Sequence, residues 1–163
     1  MLLPQIPERK EIGDLFERGD YAGLEKFGIR QVSGPAPYDC LAYVVHKLNC
    51  VSTPDTLKII QDAPVSEFIP AHSGIAYYGF LFDTGKLPDN VHVPDSIKGK
   101  RNLTVRHYGW YENKQVTSKW QHGPVFQHEL WAVPHFFGGH VLFRENDSEL
   151  ITELQLAERM KRL

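Results

Sequence analysis

Ser33-Gly34-Pro35-Ala36-Pro37-Tyr38-Asp39-Cys40-Leu41-Ala42-Tyr43-Val44-Val45-His46-Lys47-Leu48 is the stretch on which the fold turns. Its first five residues read as a rigid loop, because proline fixes the backbone and glycine interrupts regular structure. Asp39 then stands where a helix needs a capping oxygen, and Leu41, Val44, Val45 and Leu48 recur at helical spacing as one buried stripe. The expectation is a helix from Cys40 to about Leu48 with a cysteine in its first turn. Unpaired N–H groups and the positive end of the helix dipole favour a thiolate at such a position. The same N–H groups can hold the oxyanion of a tetrahedral intermediate. The competing reading of Cys40 is a buried structural cysteine. Cys50 lies at or beyond the helix end, and were the helix to continue that far, roughly 15 Å of rise would put it out of disulfide reach.

A cysteine nucleophile needs a base, and eight histidines are present: His46, His72, His92, His107, His122, His128, His135 and His140. His46 sits on the Cys40 helix but points elsewhere. His107 falls in the middle of an expected strand, where a sheet would hold its ring rigidly against a helix N-terminus, and is the best base on geometry. The flanking segments, Leu103 to Tyr111 and Gln115 to Trp120, are rich in aromatic and β-branched residues around Glu112-Asn113-Lys114, a hairpin signal. With a two-residue turn at Asn113-Lys114, His107, Ser118 and Trp120 share one face, and Ser118 stands diagonally near His107 as an orienting group. A turn one residue longer substitutes Thr117 or Lys119, of which Lys119 would oppose protonation of the ring. The spacings of His122, His128, His135 and His140 match no helical His pair, so neither a metal nor a cofactor is expected.

Outward from this centre, Glu8 to Phe27 reads as one or two short amphipathic helices broken around Gly19-Asp20. Thr53-Pro54-Asp55 opens another helix, Thr56 to about Gln61, and Ile75 to Phe82 is an apolar run that fits helix or strand. Asp83 to Asn102, full of Gly, Pro, Asp and Lys, reads as a long functional or mobile loop rather than a linker. Val125 to Val133 reads as a helical turn and connection, Gly139 to Arg144 as a strand, and Ser148 to Leu163 as a terminal amphipathic helix. Lys98, Lys100, Arg101 and Arg106 form a small basic cluster, read as a solvated loop or a site for an acidic partner or phosphate. Trp110, Trp120 and Trp131 read as core or pocket wall.

The length, 163 residues, suits one domain with a real core: a helical flank over 1–32, a core over 33–146 and a C-terminal helix over 147–163. The net charge of −2 argues against a protein that holds nucleic acid mainly by counterion release. Apolar residues at 42% and charged residues at 23% are ordinary for a globular chain, which argues against disorder. Two cysteines are too few for a disulfide framework. No basic start, long apolar stretch or run of about 20 apolar residues marks a signal peptide or membrane span. A cytoplasmic protein is expected, with export as a signal-less effector compatible with the same sequence.

Tyr38-Asp39-Cys40-Leu41-Ala42-Tyr43-Val44 resembles the Asp-Cys-Ser-Gly-Leu-Val nucleophile signature of the NlpC-type cell-wall peptidases of the papain-like superfamily, Ala42 keeping the small residue two after the cysteine. Gln115-Val116-Thr117-Ser118-Lys119-Trp120, followed by His128 and Phe137-Gly138, is also similar to an uncharacterised bacterial family with a Tyr-Asn-Cys motif, a Trp-Thr-Ser-Lys-Leu-Gly string and a downstream Glu-His. The resemblance spans about Pro37 to Arg144, lacks the peptidases' His-Val-Gly-Ile strand, and comes without cell-wall-binding repeats. It implies an α+β papain-like domain, an antiparallel sheet packed on a helix carrying Cys40 at its N-terminus. It further implies catalysis by Cys40, by His107 and by Ser118 or a neighbour, on a peptide, protein or other amide-containing substrate: a peptidase, amidase or deamidase. The alternative from a different class is a non-catalytic protein-binding or inhibitory module on the same scaffold.

Overall fold

The computed structural model describes residues 1–83 and 101–161. The long loop expected between Asp83 and Asn102, with His92, Lys98 and Lys100, falls largely outside them. Four helices, α1 (Pro7–Glu17), α2 (Cys40–Lys47), α3 (Pro54–Asp62) and α4 (Ser148–Lys161), accompany six strands. These are β1 (Arg30–Ser33), β2 (Gly74–Asp83), β3 (Arg101–Glu112), β4 (Gln115–Lys119), β5 (Val125–His128) and β6 (His140–Glu145). The strands form one sheet in the order β1-β5-β4-β3-β2-β6, and every neighbouring pair is antiparallel. The architecture is therefore mixed α and β, with an antiparallel sheet against which the Cys40 helix packs.

Helices cover both faces. On one, Leu41, Val44 and Val45 of α2, Ile60 of α3 and Leu150 and Leu154 of α4 bury Ile75, Tyr77 and Trp110 of the sheet. On the other, Ile12, Leu15 and Phe16 of α1, with Leu24 from the 3-10 turn Ala22–Phe27, bury Ala76, Tyr78, Trp120 and Phe126. The break around Gly19-Asp20 separates these two helical pieces, and Gly19 supplies a left-handed φ of 72°. β2 lies between β3 and β6 with helices above and below, so both its faces are apolar. That is why periodicity alone could not tell strand from helix over Ile75 to Phe82.

Two expectations are corrected. Val125 to Val133 is not a helical turn throughout: Val125–His128 is strand β5, inserted between β1 and β4. Its residues Val125, Phe126 and His128 are all buried, so no alternation marked it. Arg30–Ser33 is an edge strand with every residue exposed, and a polar edge carries little strand signal. Of the two turn lengths open for β3–β4, the two-residue one forms: Glu112 faces Gln115, and Asn113 and Lys114 take φ of 53° and 63°.

Two irregularities shape the site. The β3–β4 ladder spans Trp110–Thr117, Tyr111–Val116 and Glu112–Gln115, while Ser118 and Lys119 of β4 pair onward with β5. β3 and β4 thus form a fork beyond Trp110 and Thr117, and α2 contacts both prongs. In β3 itself, Tyr78 faces His107 and Gly79 faces Val105, leaving Arg106 as an extra residue. Such a bulge turns consecutive side chains toward one side and is a common device beside functional sites.

Candidate active site

Cys40 opens α2 as expected. Asp39 is the N-cap, its Oδ1 accepting from the Ala42 N–H at 2.9 Å. The backbone N–H groups of Tyr108, Leu41 and Cys40 itself favour the thiolate form of Cys40. Burial nevertheless pushes the thiol above its ordinary range, and the Asp39 charge adds to this, against the pull of those N–H groups. The expected helix-start activation is present, but desolvation outweighs it, so Cys40 rests as a thiol. Cys50 is a buried core residue whose thiol faces the Leu48 carbonyl at 3.5 Å, and both cysteines are free.

His107 pairs with Tyr78 on the face of the sheet opposite α2. Its ring lies flat on Phe137, with centroids 4.0 Å apart and planes within 7°, and beside Tyr78 at 5.7 Å. Only 1% of the residue is exposed. Its Nε2 is buried with no hydrogen-bond partner among the described residues, an exception to the rule that buried polar atoms are satisfied. Burial holds the imidazole well below its ordinary pKa, and the nearby His128 pushes the same way. The fork is where the two faces meet. Cys40 and His107 line one cavity of about 480 Å³, together with Asp39, Arg106, Gln121, His122 and Phe137.

Ser118 is placed differently from its expected role. It does share a face with His107, since a Cβ on Gly109 would lie 3.4 Å from that of Ser118. Its hydroxyl, however, meets His128 Nε2 at 2.9 Å and accepts from Trp120 Nε1 at 3.0 Å. His128 Nδ1 is in turn 2.7 Å from the Glu129 carbonyl. Burial holds His128 down to about 4, partly opposed by that carbonyl. Ser118 thus orients His128, and the group that fixes the His107 ring is Phe137. Phe137 is itself held from a distance: the buried Arg9 guanidinium of α1 donates to the carbonyls of Val133, Pro134 and Gly138. Gly138, at φ 108°, approaches Gly79 so closely that a Cβ would stand 2.1 Å from the Gly79 carbonyl oxygen.

Lys119, the alternative to Ser118, is fully buried and donates to the Gln121 and Gly123 carbonyls at 2.7 and 3.1 Å. It pins the turn from which Gln121 and His122 reach the cavity. His46 is exposed and lies 3.3 Å from Ser52 Oγ, away from the cavity lining. Sequence reasoning missed Phe137 and Arg9 as supports and Arg106 as a cavity residue. The Phe-Gly pair at 137–138 was the available signal for the first. Among the described residues no cluster of His, Cys, Asp or Glu has a metal-binding arrangement, and no helix is long and apolar enough to cross a membrane.

The site therefore brings a thiol and an imidazole to the lining of one cavity, and burial favours the neutral form of each. Comparison with protein-family models, curated proteins and solved structures returns no match to this chain.

Proposed function

We propose that this protein is a cysteine hydrolase or acyl-transfer enzyme of papain-like type, acting on an amide bond of a peptide or protein. The observation that carries the reading is that Cys40, at the start of α2, and His107, whose buried Nε2 has no hydrogen-bond partner among the described residues, line one cavity. An imidazole nitrogen left unsatisfied in the protein alone is available to take a proton in the reaction. Cys40 Sγ attacks the carbonyl carbon while its proton passes to His107 Nε2. The carbonyl oxygen takes the negative charge, facing N–H groups at the start of α2. Collapse breaks the C–N bond, and His107 returns the proton to the leaving amine. Water then attacks the thioester, giving one proton to His107. The acid departs, and that proton restores the thiol.

Because burial favours the neutral form of both groups, deprotonation accompanies attack, and no ion pair precedes substrate binding. The non-catalytic binding module is the outcome if this chemistry fails. The test is to incubate the protein with a synthetic peptide library and read cleavage, or conversion of carboxamide to acid, by mass spectrometry. Turnover by the wild type should fall at least about 100-fold in Cys40→Ser, with stability within about 1 kcal/mol. A strongly destabilised but fully active Cys40→Ser protein overturns the reading.

A further inference from the structure

The cavity at Cys40 does not end there. Arg106, Gln121 and Phe137 also line a larger open cleft of about 1290 Å³, which runs along α1 and past Phe80 and Phe136. A free amino acid would leave most of that volume empty, whereas an extended chain several residues long would occupy it. Arg106 stands at the junction of the two spaces. It is the extra residue of the β3 bulge, directly preceding His107, so the bulge turns it toward the side on which His107 lies. Its side chain is exposed and has no hydrogen-bond or ion-pair partner among the described residues.

The other charges around this junction are committed or remote. Asp39, the acid that lines the Cys40 cavity, uses Oδ1 to cap α2. Lys119 spends its donors on two carbonyls, and Arg9 on three. Lys10, Asp14 and Glu17 line the larger cleft from α1 and do not reach the Cys40 cavity. An uncommitted guanidinium beside a nucleophile and an unsatisfied imidazole is suited to a carboxylate, which it can grip with two parallel hydrogen bonds.

We propose that Arg106 forms a carboxylate-binding subsite beside Cys40, so that the enzyme selects amides flanked by an acidic group, with the rest of the substrate chain lying in the larger cleft. The proposal rests on Cys40 being the nucleophile and deepens that reading by naming its substrate class. The carboxylate is either an acidic side chain or the free C-terminus of a peptide.

Three iodoacetylated dipeptides separate these cases: Glu-Ala amide, Gln-Ala with a free C-terminus, and neutral Gln-Ala amide. Alkylation of Cys40 is followed by mass spectrometry at fixed pH and ionic strength, each rate being normalised to that of free N-acetylcysteine. At least one carboxylate probe should exceed the neutral one by about tenfold. Which probe it is identifies the source of the carboxylate. The ratio should collapse toward one in Arg106→Gln, shrink with added salt, and invert toward a Lys-Ala amide probe in Arg106→Glu. No carboxylate preference, or a preference unchanged in Arg106→Gln, overturns the subsite. If Cys40 labels no faster than Cys50 with every probe, the nucleophile assignment fails instead. The subsite is then decided by titrating the Cys40→Ser protein with acetyl-Glu-Ala amide and acetyl-Gln-Ala, each against acetyl-Gln-Ala amide. Binding favouring a carboxylate and dependent on Arg106 upholds it; equal affinity throughout ends it.

Discussion

Two buried histidines lie within electrostatic reach of each other, and their surroundings differ in one respect. His128, on the closed β4–β5 ladder, has both ring nitrogens engaged, by Ser118 and by the Glu129 carbonyl. His107, at the fork between β3 and β4, is held by stacking on Phe137 and keeps Nε2 unsatisfied. A buried polar group with all its partners stabilises the fold, whereas one without a partner costs stability and persists where it is used for something else. By that criterion the His128 region is framework, and the proposed function assigns the chemistry to the His107 region.

The largest expected effect breaks the comparison if it fails. His107→Gln should lower turnover by about 10²- to 10⁴-fold, the usual contribution of a positioned general base, while the variant still unfolds cooperatively. Peptide turnover and a denaturant titration on one preparation check this. Retained turnover would make His107 a second structural histidine.

Acid should reveal the pair next. Both imidazoles are neutral in the folded protein and have depressed pKa values, so the unfolded chain binds more protons than the native one below its own pKa of about 6.5. Stability is fully present above that value and declines as pH falls toward the folded-state values. His128, at about 4, alone accounts for a loss of about 3 kcal/mol between about pH 6.5 and 4. Urea midpoints across this range measure it; a flat profile would contradict the burial of both rings.

The smallest effect sharpens the division of labour. Ser118→Ala leaves Trp120 Nε1 and His128 Nε2 without their shared partner, and should cost about 1 to 3 kcal/mol. Turnover per folded molecule should stay unchanged. A loss of turnover at unchanged stability would return Ser118 to the orienting role expected from the sequence.

What could be read from the sequence follows the range of the interactions. The capped start of α2 and the two-residue turn at Asn113-Lys114 are set within four residues, and both were legible. The parity that puts Ser118 and His107 on one face followed from that turn. The partner of Ser118 did not, because three of the four β5 residues are buried and the strand carries no alternation. The bulge at Arg106, the fork at Tyr108 and the Phe137 stack depend on β2, β5 and α1 meeting far along the chain, through contacts such as Arg9 to Gly138. No local pattern encodes them. The resting charge of Cys40 was misjudged for a related reason: a helix start is visible in sequence, but the depth at which it is buried is not.

The central claim, that the Cys40 thiol is served by the His107 imidazole across the fork, is tested most directly by the pH dependence of Cys40 alkylation by iodoacetamide in wild type and His107→Gln. Base assistance by a neutral imidazole predicts that the wild-type rate stays above the bulk-thiolate line down past pH 6.5, the ordinary histidine value. In His107→Gln that limb should vanish, leaving one titration displaced above the ordinary cysteine range, as burial of Cys40 requires. Superimposable profiles for the two proteins would contradict the account.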